Sequence, residues 1–111
     1  MTPSQGPLGL NALAERLEAI SSVYASHFGI TRDRDWFLLK IQEELGELTQ
    51  AFLRLTDRAR GKENDAAAER LADEAADVLG QLLLLHRAMG VDFDAAVRRK
   101  WLRYEAAGDA S

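Results

Sequence analysis

One design occurs twice in this chain, thirty residues apart: an apolar helical stripe with an acidic pair beside it. The acids are Glu44 and Glu47 in the first copy, and Glu74 and Asp77 in the second. Residues three apart lie on one side of a helix, so the two acids of each pair point in one direction. The stripes have the spacing of helices buried along one face. They comprise Ile41, Leu45, Leu48, Phe52 and Leu55, then Leu71, Ala75, Val78, Leu82 and Leu85.

Two helices packed through equivalent stripes are related by an approximate two-fold axis, which brings both acidic pairs to one gap. Carboxylates a few ångströms apart repel each other by roughly 1 to 4 kcal/mol per pair at dielectrics between those of water and a protein surface. A convergent arrangement therefore requires a cation. Oxygen ligands without His or Cys suit a hard ion, so the pattern indicates Mg²⁺, or Mn²⁺. The alternative is that these acids form solvated helix faces, since Glu is a good helix former.

Composition limits the class of protein. The chain has 111 residues, a formal net charge of −4 and no cysteine. We therefore expect a single domain that does not bind nucleic acid and has no disulfide or thiolate metal site. No secretory signal is visible, and the longest purely apolar runs, such as Leu82 to Leu85, are too short to span a membrane, so the expected location is cytoplasmic.

Caps, glycines and apolar spacing predict four helices in one domain over residues 11–105, with a loose tail over 1–10 and a frayed tail over 106–111. The predicted helices run from a cap at Asn11 to about Phe28 before Gly29, from Thr31 or Asp33 to about Ala59, from about Ala66 to Met89 before Gly90, and from a cap at Asp92 onward. The polar stretch 56–65 predicts a basic loop containing Arg58, Arg60 and Lys62. Such a loop is usually solvated and occasionally closes over phosphates.

The second helix carries a further apolar line, Leu39, Gly46 and Leu53. A helix with apolar residues on two sides is buried on two sides. In a chain this short, that favours a partner subunit, with Gly46 allowing close approach. The alternative is a monomeric bundle in which the fourth helix covers this line.

Four residues outside the acidic pairs are candidates for substrate contact. Trp36 lies off the main stripe in line with Lys40, either packed by another helix or exposed as a stacking platform for a flat ligand. The predicted inner face of the fourth helix is Phe93, Val97, Trp101 and Tyr104, and Lys100 falls on it. An inward lysine needs an acidic or phosphate partner, so Lys100 is a candidate phosphate ligand, with Arg103 beside it. A structural salt bridge is the alternative.

The combined motif resembles a known family. E-E-x-x-E at Glu43, Glu44 and Glu47, followed by E-x-x-D at Glu74 and Asp77, is similar to the MazG-like, all-α nucleoside triphosphate pyrophosphohydrolases. The flanking segments KIQEELGELTQAFL, LADEAADVLGQLLLL and AAVRRKWLRY also resemble this family, so the resemblance covers about residues 36–104.

The resemblance implies an all-α, four-helix, MazG-like bundle completed by oligomerisation as a homodimer or homotetramer. It also implies Mg²⁺-dependent hydrolysis of a (d)NTP between the α and β phosphates, giving a monophosphate and pyrophosphate. In this family pattern the metal ligands are Glu44, Glu47, Glu74 and Asp77, with Glu43 as the acid that holds or deprotonates the attacking water, Lys100 as a catalytic phosphate contact and Trp36 as a base-stacking residue. Lys40 and Arg103 remain candidate substrate contacts from their positions in the sequence.

Two other interpretations compete with this one. Phosphoribosyl-ATP pyrophosphatase shares the fold and the acidic pattern, but it tends to have a shorter gap between the acidic pairs and a histidine soon after the second. Here 26 residues separate Glu47 from Glu74, and Gln81 stands near the position of that histidine. The chain also departs from the MazG-like family at Gly80, where relatives often carry an aromatic or larger side chain, so the resemblance does not identify the base. A non-catalytic helical assembly module is the second competing interpretation.

Overall fold

The protein is all-α over the part of the chain that this computed structural model describes, residues 8–56 and 64–105, where no strand occurs. The helices are α1 (Leu10–His27), α2 (Arg34–Thr56), α3 (Asn64–Ala88) and α4 (Phe93–Val97), and α4 runs directly into a π-helical segment, Arg98–Leu102. The predicted all-α class is therefore confirmed. None of the described helices combines the length and the apolar composition that crossing a membrane requires. The predicted basic loop, both predicted tails except residues 8–10, and the predicted end at Ala59 lie outside the described residues.

Glycines end α1 and α3 in the same way, as predicted. Gly29 has φ +66° and Gly90 has φ +70°, in the left-handed region that favours glycine. The next residue then folds back onto the helix: the N–H of Ile30 donates to the carbonyl of Ala25 at 2.8 Å, and the N–H of Val91 donates to that of His86 at 2.9 Å. These bonds satisfy carbonyls that the last turn of a helix otherwise leaves unpaired.

The helix starts agree with prediction at α2 and α4 and differ at α1. Asp33 accepts from the N–H of Trp36 at 2.8 Å, and Asp92 accepts from that of Ala95 at 3.0 Å. Asn11 does not cap α1, which begins one residue earlier with Gly9 in the N-cap position. Its amide oxygen instead accepts from the N–H groups of Phe93 and Asp94 at the start of α4.

Asp94 of α4 in turn caps the start of α1. Its carboxylate accepts from the N–H groups of Leu10, at 2.9 Å, and Asn11, at 3.3 Å. The Asn11 amide also donates to Asp92 at 2.7 Å. The starts of α1 and α4 therefore satisfy each other's unpaired N–H groups across more than eighty residues of sequence.

Helices α2 and α3 form an antiparallel hairpin, because Glu44 lies near Asp77 while Arg54 lies near Arg70. Buried side chains of the hairpin include Phe37, Ile41, Ala51, Leu83 and Leu84. Two members of the predicted α2 stripe, Leu45 and Phe52, are nevertheless about half exposed. Helix α1 packs on α3, and α4 packs on α1, so within residues 8–56 and 64–105 no third helix packs over much of α2.

An ion-pair network fixes α1 to the rest of the bundle. Arg32, in the α1–α2 connection, donates to both carboxylate oxygens of Glu18 at 2.9 and 2.7 Å. Arg87 of α3 lies 3.9 Å from the same carboxylate and 3.0 Å from that of Glu15. Hydrogen bonding from Arg32, reinforced by the positive charges of Arg32 and Arg87, lowers the pKa of Glu18 despite the opposing effect of burial.

The predicted inner face of α4 is wrong beyond Val97. Trp101 is 74% exposed and Tyr104 is 56% exposed, and Lys100 is exposed as well. A π-helical turn holds more residues than an α-helical turn, so the segment Arg98–Leu102 shifts the register of the positions that follow it. The α-helical period predicts Trp101 on the inner face, whereas the structure has Leu102 half-buried and Trp101 exposed. The alternative in which the fourth helix covers the second apolar line of α2 is also wrong, because Leu39 and Leu53 are exposed.

Candidate metal centre

Three of the predicted acids converge between α2 and α3. Glu44 from α2 and Glu74 and Asp77 from α3 each offer a carboxylate oxygen, and these oxygens all lie within 4.8 Å of one another. We call these three residues the acid cluster. Glu44 lies one turn after the buried Ile41 and two turns before the buried Ala51, so it is on the face of α2 that packs against α3.

The acid cluster contains polar atoms that the protein does not satisfy. One carboxylate oxygen of Glu44 and one of Glu74 are closed off from solvent and have no hydrogen-bond partner within the described chain. The side chain of Glu44 is only 13% exposed. Buried polar atoms are usually hydrogen-bonded, so two unpaired oxygens in one cluster require an explanation.

Burial and charge repulsion raise the pKa values of Glu44 and Glu74. Burial, followed by the negative charges of Asp77 and Glu47, raises the pKa of Glu44, and the positive charge of Lys40 only partly offsets this. Burial also raises the pKa of Glu74, with added repulsion from Glu47 and Asp77 and relief from Arg70. The acid cluster is therefore electrostatically unfavourable by itself, and the positive charges of Lys40 and Arg70 only partly offset the repulsion among its carboxylates.

A divalent cation fits this arrangement. Mg²⁺ binds oxygen ligands at about 2.0 to 2.1 Å, which puts two ligands on one ion at most about 4 Å apart. The carboxylates are already near that separation, so small side-chain rotations bring them onto one ion. The two unpaired oxygens would become ligands, and the positive charge of the ion would lower the raised pKa values of Glu44 and Glu74.

Glu47 lies beside the acid cluster rather than within it. It is exposed and shares a cleft with Glu74, and Gln50, Ala51, Arg54 and Arg70 complete the lining. The two arginines were missed by sequence reasoning. Their positions carry a signal, because Arg54 lies two turns after Glu47 and Arg70 one turn before Glu74, on the same helix faces. They supply positive charge next to the acids.

Lys40 and Trp36 lie toward the other end of α2. The Lys40 ammonium donates to Glu43 at 2.7 Å and lies 3.8 Å from Glu44. The bond to Glu43, more than the neighbouring charges, raises the pKa of Lys40. Trp36 is half-buried, packs edge to face against Phe37 at a centroid distance of 5.2 Å, and has the Lys40 ammonium 5.8 Å above its ring.

Lys100 and Arg103, the other predicted substrate contacts, are not joined to the acid cluster by any hydrogen bond or ion pair among the described residues. Arg103 instead donates to the Tyr104 hydroxyl at 2.6 Å, and its guanidinium lies 4.7 Å from that ring centroid. Lys100 is exposed. Any contact of these cations with the acids therefore needs α4 from a second copy of the chain or a change in the position of α4.

Gln81 carries a further unsatisfied atom. Its carboxamide oxygen is closed off from solvent and has no hydrogen-bond partner within the described chain. Sequence reasoning noted Gln81 only as a departure from a related enzyme. Nothing in the local sequence reveals that its oxygen is buried, because the burial depends on how α1 and α2 pack against α3.

Comparison with known proteins gives one match. The sequence model of the phosphoribosyl-ATP pyrophosphohydrolase family matches residues 13–99, whereas no curated protein and no solved structure matches the chain. This family belongs to the MazG-like all-α nucleoside triphosphate pyrophosphatase superfamily, so the resemblance drawn from the acidic motifs is confirmed. Its members are pyrophosphohydrolases that act on acid anhydrides. Because the match spans most of the sequence, the chain belongs to the phosphoribosyl-ATP pyrophosphohydrolase family.

Proposed function

We propose that the protein is a Mg²⁺-dependent pyrophosphohydrolase that cleaves a nucleotide between its α and β phosphates and releases pyrophosphate. The observation that carries this proposal is the acid cluster with its two buried, unpaired carboxylate oxygens. Carboxylates gathered in this way bind the metal ions that accompany substrate phosphates. Mn²⁺ is expected to substitute for Mg²⁺, since it accepts the same oxygen ligands.

Each residue near the cluster has a definite task in this proposal. Glu44, Glu74 and Asp77 hold the metal, and the exposed Glu47 joins them by rotation of its side chain. A bound divalent ion neutralises phosphate oxygens and lowers the pKa of a coordinated water. Arg54 and Arg70 supply the positive charge that stabilises the departing pyrophosphate.

In this proposal, Trp36, Lys40 and Glu43 of α2 contact the nucleotide and the attacking water. Glu43, held by Lys40 at 2.7 Å, is the remaining carboxylate that can accept the proton of the attacking water. The ring of Trp36 provides an apolar surface for the base. Lys40 itself is a phosphate contact once substrate draws it from the two glutamates.

Phosphoribosyl-ATP is the first candidate substrate, because the matching family is defined by that activity. Ordinary (d)NTPs are the second candidate. The 26-residue separation of Glu47 from Glu74, and Gln81 in place of a histidine, favour this second class. Both candidates present the same triphosphate chain to the acid cluster, so the distinction lies in the groups that contact the base and sugar.

We also propose that the active form is a homodimer or homotetramer. The second apolar line of α2 remains uncovered in the single chain, with Leu39 63% and Leu53 54% exposed. A methyl group added at Gly46, between them, would meet nothing within 4 Å, so another helix can approach closely there. A second copy would cover this line and could bring its own Lys100 to the acids.

The test is pyrophosphate release from phosphoribosyl-ATP and from a panel of ribo- and deoxyribonucleoside triphosphates in Mg²⁺. The wild type is compared with Glu44→Gln, which removes a metal ligand, and with Glu69→Gln, which removes one exposed charge from α3 outside the acid cluster. We expect release by the wild type and by Glu69→Gln, and a loss of at least a hundredfold in Glu44→Gln, in the range seen when electrostatic stabilisation of a transition state is removed.

The outcomes separate the interpretations. Turnover of phosphoribosyl-ATP alone assigns the family's defining reaction, and turnover of the (d)NTP panel assigns the second candidate. If no substrate releases pyrophosphate and Mg²⁺ does not stabilise the protein against heat, the enzyme proposal is wrong and a helical assembly module remains.

A further inference from the structure

Gln81 has a buried hydrogen-bond acceptor that neither the fold nor the proposed reaction uses. Its carboxamide oxygen is closed off from solvent and unpaired within the described chain. Leaving such an atom unpaired costs stability, so this buried oxygen indicates a donor that lies outside the described residues. Two other side-chain oxygens of the described residues are also closed off from solvent and unpaired, and they belong to Glu44 and Glu74 of the acid cluster.

The helical register puts Gln81 on the face of α3 that carries the acids. At 100° per residue it lies about 20° around the helix from Glu74 and about 40° from Asp77, one turn further along. Long helical side chains lean toward the N-terminal end of their helix and cover the preceding turn. The Gln81 carboxamide therefore leans over the turn that carries Asp77, toward the acid cluster rather than away from it.

The chemistry of a carboxamide oxygen narrows the choice of donor. The carboxamide oxygen can only accept hydrogen bonds, so it cannot bind a phosphate oxygen, which also only accepts. Because it is neutral, it also cannot offset the charge of a cation as a carboxylate does. A cation held by Asp77 keeps several water molecules, and each of them can donate. The ammonium of Lys40, which lies 3.8 Å from Glu44, donates to Glu43 and makes no hydrogen bond to Gln81.

We infer that Gln81 is a positioning residue whose carboxamide oxygen accepts a hydrogen bond from a water molecule on the cation held by the acid cluster. This inference rests on the proposed function, because it requires that cation. Outer-shell partners of this kind orient metal-bound groups, and their loss typically lowers metal affinity or activity about 10- to 100-fold. Gln81 would thereby fix the direction of one water relative to the scissile phosphate.

The experiment measures the binding of Mn²⁺ alone to the full chain, by the paramagnetic resonance of free Mn²⁺, together with the melting temperature of the metal-free protein. Gln81→Met keeps the length of the side chain and removes both polar atoms. Gln81→Glu keeps an acceptor oxygen at the same position. Gln42→Met, at an exposed position of α2, is the matched control.

We expect Gln81→Met to bind Mn²⁺ about 10- to 100-fold more weakly than the wild type, with a metal-free melting temperature no lower than that of the wild type. We expect Gln81→Glu to bind Mn²⁺ at least as tightly as the wild type, and Gln42→Met to match the wild type. A purely structural glutamine gives the opposite pattern, in which Gln81→Met lowers the metal-free melting temperature and leaves Mn²⁺ affinity unchanged.

Several results would overturn the inference. Mn²⁺ affinity within twofold of wild type in Gln81→Met, or weakened more than fivefold in Gln81→Glu, contradicts a water-binding acceptor. If Gln81→Met binds Mn²⁺ like the wild type but hydrolyses the different nucleotides in altered proportions, the Gln81 oxygen contacts the base and not a metal-bound water. If the wild type binds Mn²⁺ and Glu44→Gln does not, these results refute only the role of Gln81. If the wild type does not bind Mn²⁺, the proposed function fails with it.

Discussion

Replacing Glu44 by Gln should stabilise the metal-free protein and destabilise the protein in Mg²⁺. The side chain of Glu44 is only 13% exposed, and the substitution keeps its shape while removing its charge. Without metal, burial and repulsion by Asp77 both disfavour the negative charge of Glu44, and both raise its pKa. With metal, the same charge is a ligand. The sign of the effect therefore reverses with the occupancy of the site.

The magnitude follows from the distance between the carboxylates. Oxygens of Glu44 and Asp77 lie within 4.8 Å. At that separation two unit charges repel by about 0.9 kcal/mol in bulk water and about 3.5 kcal/mol at an effective dielectric of 20. Asp77 is exposed, which favours the lower end, and the weak contact with Lys40 at 3.8 Å offsets a few tenths of a kcal/mol. We expect a net gain of about 1 kcal/mol, or a rise in melting temperature of about 4 °C.

Thermal unfolding at fixed protein concentration measures both signs. In EDTA at pH 7, Glu44→Gln should melt above the wild type. In Mg²⁺ at about a hundred times its dissociation constant, the wild type should gain about 2.7 kcal/mol by mass action and melt above the variant. Because the pKa of Glu44 is raised in the folded state above its ordinary value of 4.5, protonation relieves the repulsion in the wild type. The difference in EDTA should therefore shrink as the pH falls through that raised pKa.

Glu69→Gln controls for the change in net charge, and it should show neither the gain in EDTA nor the loss in Mg²⁺. The reasoning is refuted if Glu44→Gln melts below the wild type in EDTA while remaining folded, since the carboxylates would then not repel each other. It is equally refuted if Mg²⁺ raises the melting temperature of Glu44→Gln as much as that of the wild type.

Two further predictions concern the scaffold. Glu18→Gln should cost about 1 kcal/mol at pH 7, because it weakens the hydrogen bonds from Arg32 and removes a charge beside Arg87. The pKa of Glu18 is lowered in the folded state, so this contribution to stability is present above about pH 4.5. It is lost as the pH falls through the pKa of Glu18 in the folded protein. Urea unfolding of the wild type and the variant at several pH values measures this dependence. If the protein is the proposed oligomer, Leu39→Glu should convert it to a monomer in sedimentation experiments. A mass unchanged from that of the wild type would show that the second apolar line of α2 is not part of an interface.

Local signals in the sequence predicted the helices well. Gly29 and Gly90 end their helices because a positive φ is needed there and the next residue has an apolar side to fold back onto. The meeting of Glu44 with Glu74 and Asp77 followed from two equivalent stripes, since one periodicity determines both the buried face and the position of the acids beside it.

The features that sequence reasoning missed depend on distant partners or on a change of period. Asn11 has the chemistry of a cap, but its partners are in α4, and no local pattern identifies them. The π-helical turn after Val97 shifts the register, so an α-helical period assigned Trp101 inward and the structure has it exposed. Arg54 and Arg70 are ordinary surface residues until the antiparallel hairpin brings them to one cleft.

The exchange of caps between α1 and α4 joins the first helix of the chain to the last. Terminal helices are ordinarily the first parts of a helical protein to fray, each by itself. Here the unwinding of the first turn of α1 withdraws the Asn11 amide from α4, and the unwinding of α4 withdraws the Asp94 carboxylate from α1. The two ends therefore lose order together, and hydrogen exchange at Leu10 and at Phe93 reports a single opening event rather than two.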